Sequence, residues 1–136
     1  MQMNMCEAIN RLRNAGLRPA RQRISLASML FGGPERHISA EELHEEAVAA
    51  NVPVSLATVY NTLNQFTEAG LLREVAIDGT KSYFDTNTSN HYHFYLESEG
   101  RLIDIDSNAL KVVGLPEAPE GTKVNRIDVV VRLSDA

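Results

Sequence analysis

The segment from Val54 to Val75 constrains the fold of this chain more than any other. Apolar side chains recur in it at the three-and-four spacing of one helix face, at Leu56, Val59, Leu63 and Phe66. Ser55 stands where a helix N-cap is expected, and Gly70 is a typical helix stop. The spacing therefore predicts an amphipathic helix between Ser55 and Gly70.

The opposite face of this helix carries hydrogen-bonding side chains without charge, which are Ser55, Thr58, Asn61 and Gln65, with Tyr60 at the edge. Such groups contact base edges when a helix lies in the major groove of DNA. A carboxylate there would repel phosphate, and none occurs before Glu68. The alternative is an ordinary surface helix, but those usually carry Lys and Glu on the exposed side. The pattern favours DNA recognition.

The elements around this helix follow the order of a winged helix-turn-helix. Helices are predicted over about 7–14, from the first turn at Pro19 to about Leu30, and from the capping box at Ser39 and Glu42 to about Ala50. A hairpin follows, with strands over 71–77 and 81–85 joined by Asp78-Gly79. We assign residues 1–85 to a DNA-binding domain.

Residues 86–90 are polar and without periodicity, so we interpret them as a hinge. Beyond them we predict strands over 91–97, 101–105 and 123–133, with a buried stretch at 128–133 and a short helix over 107–113. A domain of residues 91–136 is too small to hold a core comfortably. The fold class is thus α+β: an N-terminal winged helix-turn-helix followed by a small α/β dimerisation domain. A homodimer would suit a palindromic DNA site.

Charge and composition set limits on the function. The 136 residues carry a formal net charge of −5, but the first 25 include Arg11, Arg13, Arg18, Arg21 and Arg23 against one acid. The attraction of phosphate depends on the local electrostatic potential, which these arginines would make positive. The alternative is that the arginines only cover a solvated surface. No stretch approaches the roughly 18 apolar residues of a membrane span, and no signal peptide is evident, so we expect a cytoplasmic protein without membrane partners. The single Cys6 leaves no internal disulfide.

A histidine–carboxylate constellation is the second informative feature. His91 and His93 are two apart on a predicted strand and share a face, whereas His-x-His alone is often accidental. Asp85 at the end of the wing and His37 before a capped helix complete a set suited to iron, manganese or zinc, or to haem ligation by one imidazole. His44 lies among glutamates and is interpreted as solvated.

Several motifs together resemble the ferric uptake regulator family. They are Ala15–Pro19, His37–Leu43, Ser55–Leu63 and Gly70–Leu72, while Phe84–Asn87, His91–Glu97 and Val129–Leu133 resemble its iron response regulator (Irr) branch. The resemblance implies a winged helix followed by a dimerisation domain. It implies DNA contacts from Arg18 and from Tyr60 and Asn61 of a recognition helix that runs from Ser55 to about Phe66. The basic segment adds Arg21 and Arg23 as candidate contacts, and the polar helix face adds Ser55 and Thr58. The resemblance also implies a metal or haem site at His37, Asp85, His91 and His93, which links the two domains.

The chain departs from the family pattern in three places. Leu96 and Glu99 stand at the first Cys-x-x-Cys pair, so a structural tetracysteine zinc site is excluded by composition. Tyr92 replaces the middle of three histidines common in the Irr branch, and many members carry a basic residue where this chain has Asn61. Cys6 precedes Glu7 rather than proline, so haem-triggered degradation through a Cys-Pro motif is not expected.

The resulting hypothesis is a transcriptional regulator of the repressor type that responds to iron or haem. It would bind palindromic operators as a homodimer. The resemblance implies haem synthesis and iron homeostasis genes as targets. A ligand shared across the hinge would favour one spacing of the two recognition helices. The alternatives are a repressor that senses Fe²⁺ or Mn²⁺ directly, a small metalloenzyme using the same ligands, and a winged helix used only for protein contacts. The sequence supplies no convincing general base, so no catalytic residue is assigned.

Overall fold

The computed structural model describes residues 3–136; the first two residues of the predicted DNA-binding domain lie outside this range. Within this range the chain forms two compact units, which divide between Thr88 and Ser89. The first contains four helices and a three-stranded sheet, and the second contains another three-stranded sheet. The predicted α+β class, with a winged helix first, is confirmed.

The first two helices are α1, Met5–Asn14, and α2, Arg21–Phe31. The Asn4 side chain accepts a hydrogen bond from the Glu7 backbone N–H, so α1 begins earlier than predicted and includes Cys6. The prediction of Pro19 in the first turn of α2 is wrong. The Ala20 N–H donates to the Arg18 carbonyl at 2.9 Å, and Ala20 is extended, which delays the helix start to Arg21.

Helices α3, Ala40–Ala49, and α4, Leu56–Glu68, begin at the predicted caps. Ser39 and Glu42 form both bonds of the capping box. Val59, Leu63 and Phe66 of α4 are fully buried, as predicted, but Leu56 is 37% exposed because it lies in the first turn, at the end of the buried stripe. Thr62 completes the buried face instead.

The sheet of the first unit comprises β1, His37–Ile38, β2, Arg73–Ala76, and β3, Ser82–Asp85, in the order β1-β3-β2. The hairpin of β2 and β3 is present, but Asp78-Gly79 does not form a tight two-residue turn. Residues 77–81 connect the strands, and the Asp78 carboxylate accepts from the backbone N–H groups of Thr80 and Lys81 at 3.0 Å, which stabilises this wider loop.

One apolar core holds the helices of the first unit against its sheet. It is formed by buried side chains from all four helices together with Ile38 and Phe84 of the sheet, and its largest helical members are Leu12, Leu26, Leu30, Leu43, Leu63 and Phe66. Burying such side chains contributes about 1.5–3 kcal/mol each. Within residues 3–136, none of the helices has the length and apolar character that crossing a bilayer requires.

The second unit comprises β4, Tyr92–Leu96, β5, Arg101–Ile105, and β6, Val130–Leu133. Strand β4 lies in the middle, antiparallel to β5 and parallel to β6. Its residues alternate between half-buried and buried, which confirms that His93 and Phe94 face opposite sides.

Two predictions for the second unit are wrong. The helix over 107–113 is absent, because the Asp106 carboxylate and carbonyl accept the N–H groups of Asn108 and Ala109 and form a turn, and Gly114 follows with a positive φ. The strand over 123–133 is shortened to Val130–Leu133, and it is half-buried to exposed rather than buried. Strand β6 pairs with β4 alone and forms an edge of the sheet.

Candidate metal centre and nucleic-acid interface

The outward face of α4 presents uncharged polar groups to solvent. Tyr60, Asn61, Asn64 and Gln65 are exposed on it, and Asn64 was not among the predicted contacts. Exposed amides in this arrangement suit base edges, because Asn and Gln both donate and accept hydrogen bonds.

Two residues predicted to contact DNA, Ser55 and Thr58, form hydrogen bonds at the N-cap of α4. The Ser55 hydroxyl accepts from the Thr58 N–H at 3.1 Å and donates to the Thr58 hydroxyl at 3.0 Å. Ser55 is exposed and Thr58 is half-buried. The Ser55 hydroxyl therefore has a structural role at the N-cap, whatever it contacts in a complex.

Arg23 ties α2 to α4. Its guanidinium donates to the Gln65 Oε1 at 3.0 and 3.2 Å and to the Arg18 carbonyl at 2.9 Å. This arrangement orients Gln65 with its amide N–H groups as the remaining donors. Arg18 and Arg21 are exposed, and Arg18, Arg23, Thr58, Asn61 and Gln65 line part of one cleft of about 240 Å³.

Tyr60 is 37% exposed and donates a hydrogen bond from its hydroxyl to the Glu41 carboxylate of α3. This hydrogen bond raises the pKa of Tyr60, and burial and the negative charge of Glu41 act in the same direction. Sequence patterns did not indicate the contact, because Glu41 and Tyr60 lie on different helices.

The first predicted metal ligands meet in the sheet of the first unit. His37 on β1 and Asp85 on β3 are register partners, and the His37 Nε2 lies 3.3 Å from the Asp85 Oδ2. Asp85 is nearly fully buried, and its Oδ1 accepts from the Asn87 N–H at 2.9 Å. Arg73 lies opposite Asp85 on β2 and is 5% exposed, so a buried positive charge shares this row of the sheet.

The second unit brings the other two predicted ligands together. The rings of His91 and His93 have centroids 4.5 Å apart, and both side chains are buried. The Nε2 atoms of His91 and His93 lie 3.3 and 3.4 Å from the Asp104 Oδ1. The His91 Nδ1 lies 2.7 Å from the Ser89 carbonyl, a contact in which the ring nitrogen would donate. Such a second contact orients the ring so that Nε2 would be the atom that coordinates a metal ion.

Asp104 was missed by sequence reasoning, although a signal for it existed. Residues 97–100 connect β4 and β5, and this connection sets a register in which Asp104 lies directly opposite His93. Side chains of opposite residues in an antiparallel pair share a face. Pairing the two predicted strands through that turn would have placed the carboxylate beside the imidazole.

The chemistry of these residues fits a divalent metal ion. In each unit an imidazole nitrogen and a carboxylate oxygen lie 3.3–3.4 Å apart, close to the roughly 3 Å that separates neighbouring ligands of one ion. Nitrogen and oxygen donors of this mixture suit Fe²⁺, Mn²⁺ or Zn²⁺. Haem would need an open face beside an imidazole, whereas His91 and His93 are buried. Thiolate donors are limited to Cys6, which is exposed in α1.

Comparisons with known proteins identify the family to which the chain belongs. The sequence matches the ferric uptake regulator family over residues 14–132. It is 36% identical over 99 residues to the peroxide-responsive repressor PerR of Staphylococcus aureus, an alignment that covers 72% of this chain and 66% of that protein's length.

Solved structures give the same result at the level of the fold. The ferric uptake regulator of Pseudomonas aeruginosa with manganese is 26% identical, with a TM-score of 0.69 over 94% of this chain and 97% of that one. The Vibrio cholerae ferric uptake regulator has a TM-score of 0.72 at 24% identity, over 93% of this chain and 98% of that one. This chain belongs to the ferric uptake regulator family.

Proposed function

We propose that this protein is a transcriptional regulator that binds double-stranded DNA through α4, and that it binds palindromic operators as a homodimer. The observation that carries this proposal is the uncharged polar face of α4, backed by the fully buried Val59, Leu63 and Phe66. Arg18, Arg21 and Arg23 supply positive charge near it, in the loop before α2 and in its first turns. Residues 1–85 would be the DNA-binding half and 91–136 the dimerisation and sensing half, with a hinge at 86–90.

We further propose that a divalent metal ion is the effector, with His37, Asp85, His91 and His93 as ligands and Asp104 beside them. The short distances between imidazole and carboxylate in each unit support this, because the ligand atoms of one ion lie about 3 Å apart. A bound ion supplies charge neutralisation and fixed geometry to these side chains. Fe²⁺ and Mn²⁺ suit the absence of thiolate from the set.

Haem is the second candidate effector, and the resemblance of His91–Glu97 to the Irr branch favours it. In that case the regulator would act under low iron, and its targets would include haem synthesis and iron homeostasis genes. The buried imidazoles favour the ion over the macrocycle. Members of this family are transcription regulators rather than enzymes, which argues against the metalloenzyme alternative.

DNA binding is tested with the duplex that the protein selects from a random pool. Affinity for this duplex should fall by roughly a thousandfold or more as salt rises from about 50 to about 200 mM, because a phosphate-contacting dimer releases counterions. Tyr60→Ala with Asn61→Ala should abolish discrimination from scrambled duplex. If the double variant discriminates as well as the wild type, α4 is not the recognition element and the proposal fails. A winged helix used for protein contacts alone would show no such salt dependence.

The effector is tested by measuring binding to the selected duplex with Fe²⁺, Mn²⁺ or haem added separately to anaerobically purified protein. A metal sensor changes its DNA affinity with the ion and not with haem. Haem sensing predicts a Soret band that changes in His93→Ala and a DNA affinity that follows haem. Identical Soret spectra for wild type and His93→Ala would remove His93 from the haem alternative.

A further inference from the structure

The glutamates of α3 differ in their contacts. Glu42 belongs to the capping box with Ser39, and Glu46 forms an ion pair with Arg36. Glu41 instead accepts the hydrogen bond of the Tyr60 hydroxyl on α4. The Glu41 carboxylate thus contacts the face of α4 that is proposed to bind DNA.

This contact determines what Tyr60 can offer to a base. A tyrosine hydroxyl has one hydrogen to donate and oxygen lone pairs that accept. With the hydrogen donated to Glu41, the exposed side of Tyr60 offers an accepting oxygen and the ring itself. An accepting oxygen pairs with the amino groups of adenine or cytosine in the major groove, and a ring packs on the thymine methyl. It does not pair with guanine O6 and N7 or with phosphate, which are acceptors.

We propose that Glu41 is a specificity-determining residue, which fixes the Tyr60 hydroxyl as a donor within the protein and so leaves an acceptor and a ring for DNA. The proposal rests on the proposed DNA-binding function of α4. Glu41 also places a negative charge beside a surface that meets phosphates. It therefore lowers affinity for all sequences while it selects among them, and the two effects are separable by experiment.

The test uses Glu41→Ala, Tyr60→Phe and the double variant that combines these two changes. The control is Glu45→Ala, which removes an equal charge one turn further along α3, where Glu45 is also exposed. Each protein is measured against the duplex selected by the wild type and against scrambled duplex. Both Glu→Ala variants should bind scrambled duplex more tightly. Glu41→Ala and Tyr60→Phe should each lower the ratio of selected to scrambled affinity by about tenfold, and the combination should lower it no further.

Equal ratios for Glu41→Ala and Glu45→Ala would overturn the proposal, since Glu41 would then act by charge alone. Additive losses in the combined variant would also overturn it, because the two residues would act independently. Far-ultraviolet circular dichroism checks that each variant is folded. We expect that they are, because these side chains are exposed. A wild type that selects no duplex from the pool would overturn the proposed function itself, which distinguishes that failure from the failure of this proposal.

Discussion

Tyr60 offers a residue-level test that does not depend on DNA. Its pKa is raised because its hydroxyl donates to the Glu41 carboxylate, with burial and charge adding to the effect. In Glu41→Gln the amide carries no charge to oppose the phenolate, so Tyr60 should ionise at lower pH than in the wild type. Alkaline titration of phenolate absorbance measures this, with the Tyr60→Phe curve subtracted to isolate the one residue. Superimposable curves for wild type and Glu41→Gln would contradict the hydrogen bond.

Asp85 permits a second test at the same scale. Asp85→Asn keeps the size of the side chain but removes the charge that a divalent ion requires. Mn²⁺ affinity should fall at least about tenfold, by comparison with the losses seen when groups around metal sites are replaced. Calorimetric titration with Mn²⁺ measures the change. Asp78→Asn in the loop of the same sheet removes an equal charge and should leave affinity unchanged.

The stability of Asp85→Asn is measured alongside its metal affinity, because Arg73 is buried directly opposite on β2. A carboxylate beside a buried guanidinium compensates for its desolvation, and a neutral amide does so less well. The variant should therefore unfold at lower urea concentration than the wild type. Unchanged Mn²⁺ affinity in a folded Asp85→Asn protein would exclude Asp85 from the ligands.

The element scale separates the capping role of Ser55 from its position at the proposed interface. Ser55→Ala removes the acceptor for the Thr58 N–H and should lower the free energy of unfolding by about 1 kcal/mol. Ser55→Asp keeps the cap, since Asp is an equally good N-cap, so stability should be retained. Its carboxylate would nevertheless repel phosphate and weaken DNA binding roughly fivefold to tenfold at low salt.

Urea unfolding and DNA titration in parallel measure the two effects. Ser107→Asp adds the same charge at an exposed position of the second unit and serves as the control for net charge. If Ser55→Asp binds DNA like Ser107→Asp, the N-terminus of α4 does not approach phosphate. If Ser55→Asp is as unstable as Ser55→Ala, the Ser55 hydroxyl does not stabilise the protein by capping α4.

Helices with a clear cap and several turns of apolar spacing were predictable from sequence, whereas the two-residue strand β1 was not. Helices α3 and α4 have caps and several turns of apolar spacing, so their starts were predicted at Ser39 and Ser55. Strand β1 has two residues, too few to show a period, and it exists because β3 pairs with it. The predicted helix at 107–113 had no core to pack against, and local bonds from Asp106 outcompeted it.

At the scale of the whole molecule, the candidate site was predicted in part. His37, Asp85, His91 and His93 were identified because spacing and resemblance pointed to them. Asp104 and Arg73 were missed, since each approaches the candidate ligands through strand register rather than through a sequence motif. The Glu41–Tyr60 contact between α3 and α4 was missed for a similar reason. Asp104 could have been found by pairing the two predicted strands, whereas no pattern within one element indicates the contact between Glu41 and Tyr60.

The sheet of the second unit has an incompletely covered apolar face, which supports the proposed homodimer. Val131, Phe94 and Ile103 form one row across β6, β4 and β5; Phe94 and Val131 are half-buried, and Ile103 is 39% exposed. Val113 and Leu115 nearby in sequence are exposed as well. A unit of this size gains its missing burial most readily from a second copy.

Ile103→Glu should therefore shift the protein from dimer to monomer. The charged side chain would have to be desolvated in the interface, which costs several kcal/mol unless it is paired, so the dimer dissociation constant should rise at least about a hundredfold. Sedimentation velocity across a concentration series measures it. Val48→Glu, at a 60% exposed position of α3, adds the same charge to the first unit and should leave the dimer intact. Because one recognition helix alone contacts half a palindrome, Ile103→Glu should also lose affinity for the selected duplex, and a monomer that retained full affinity would exclude the dimeric mode of binding.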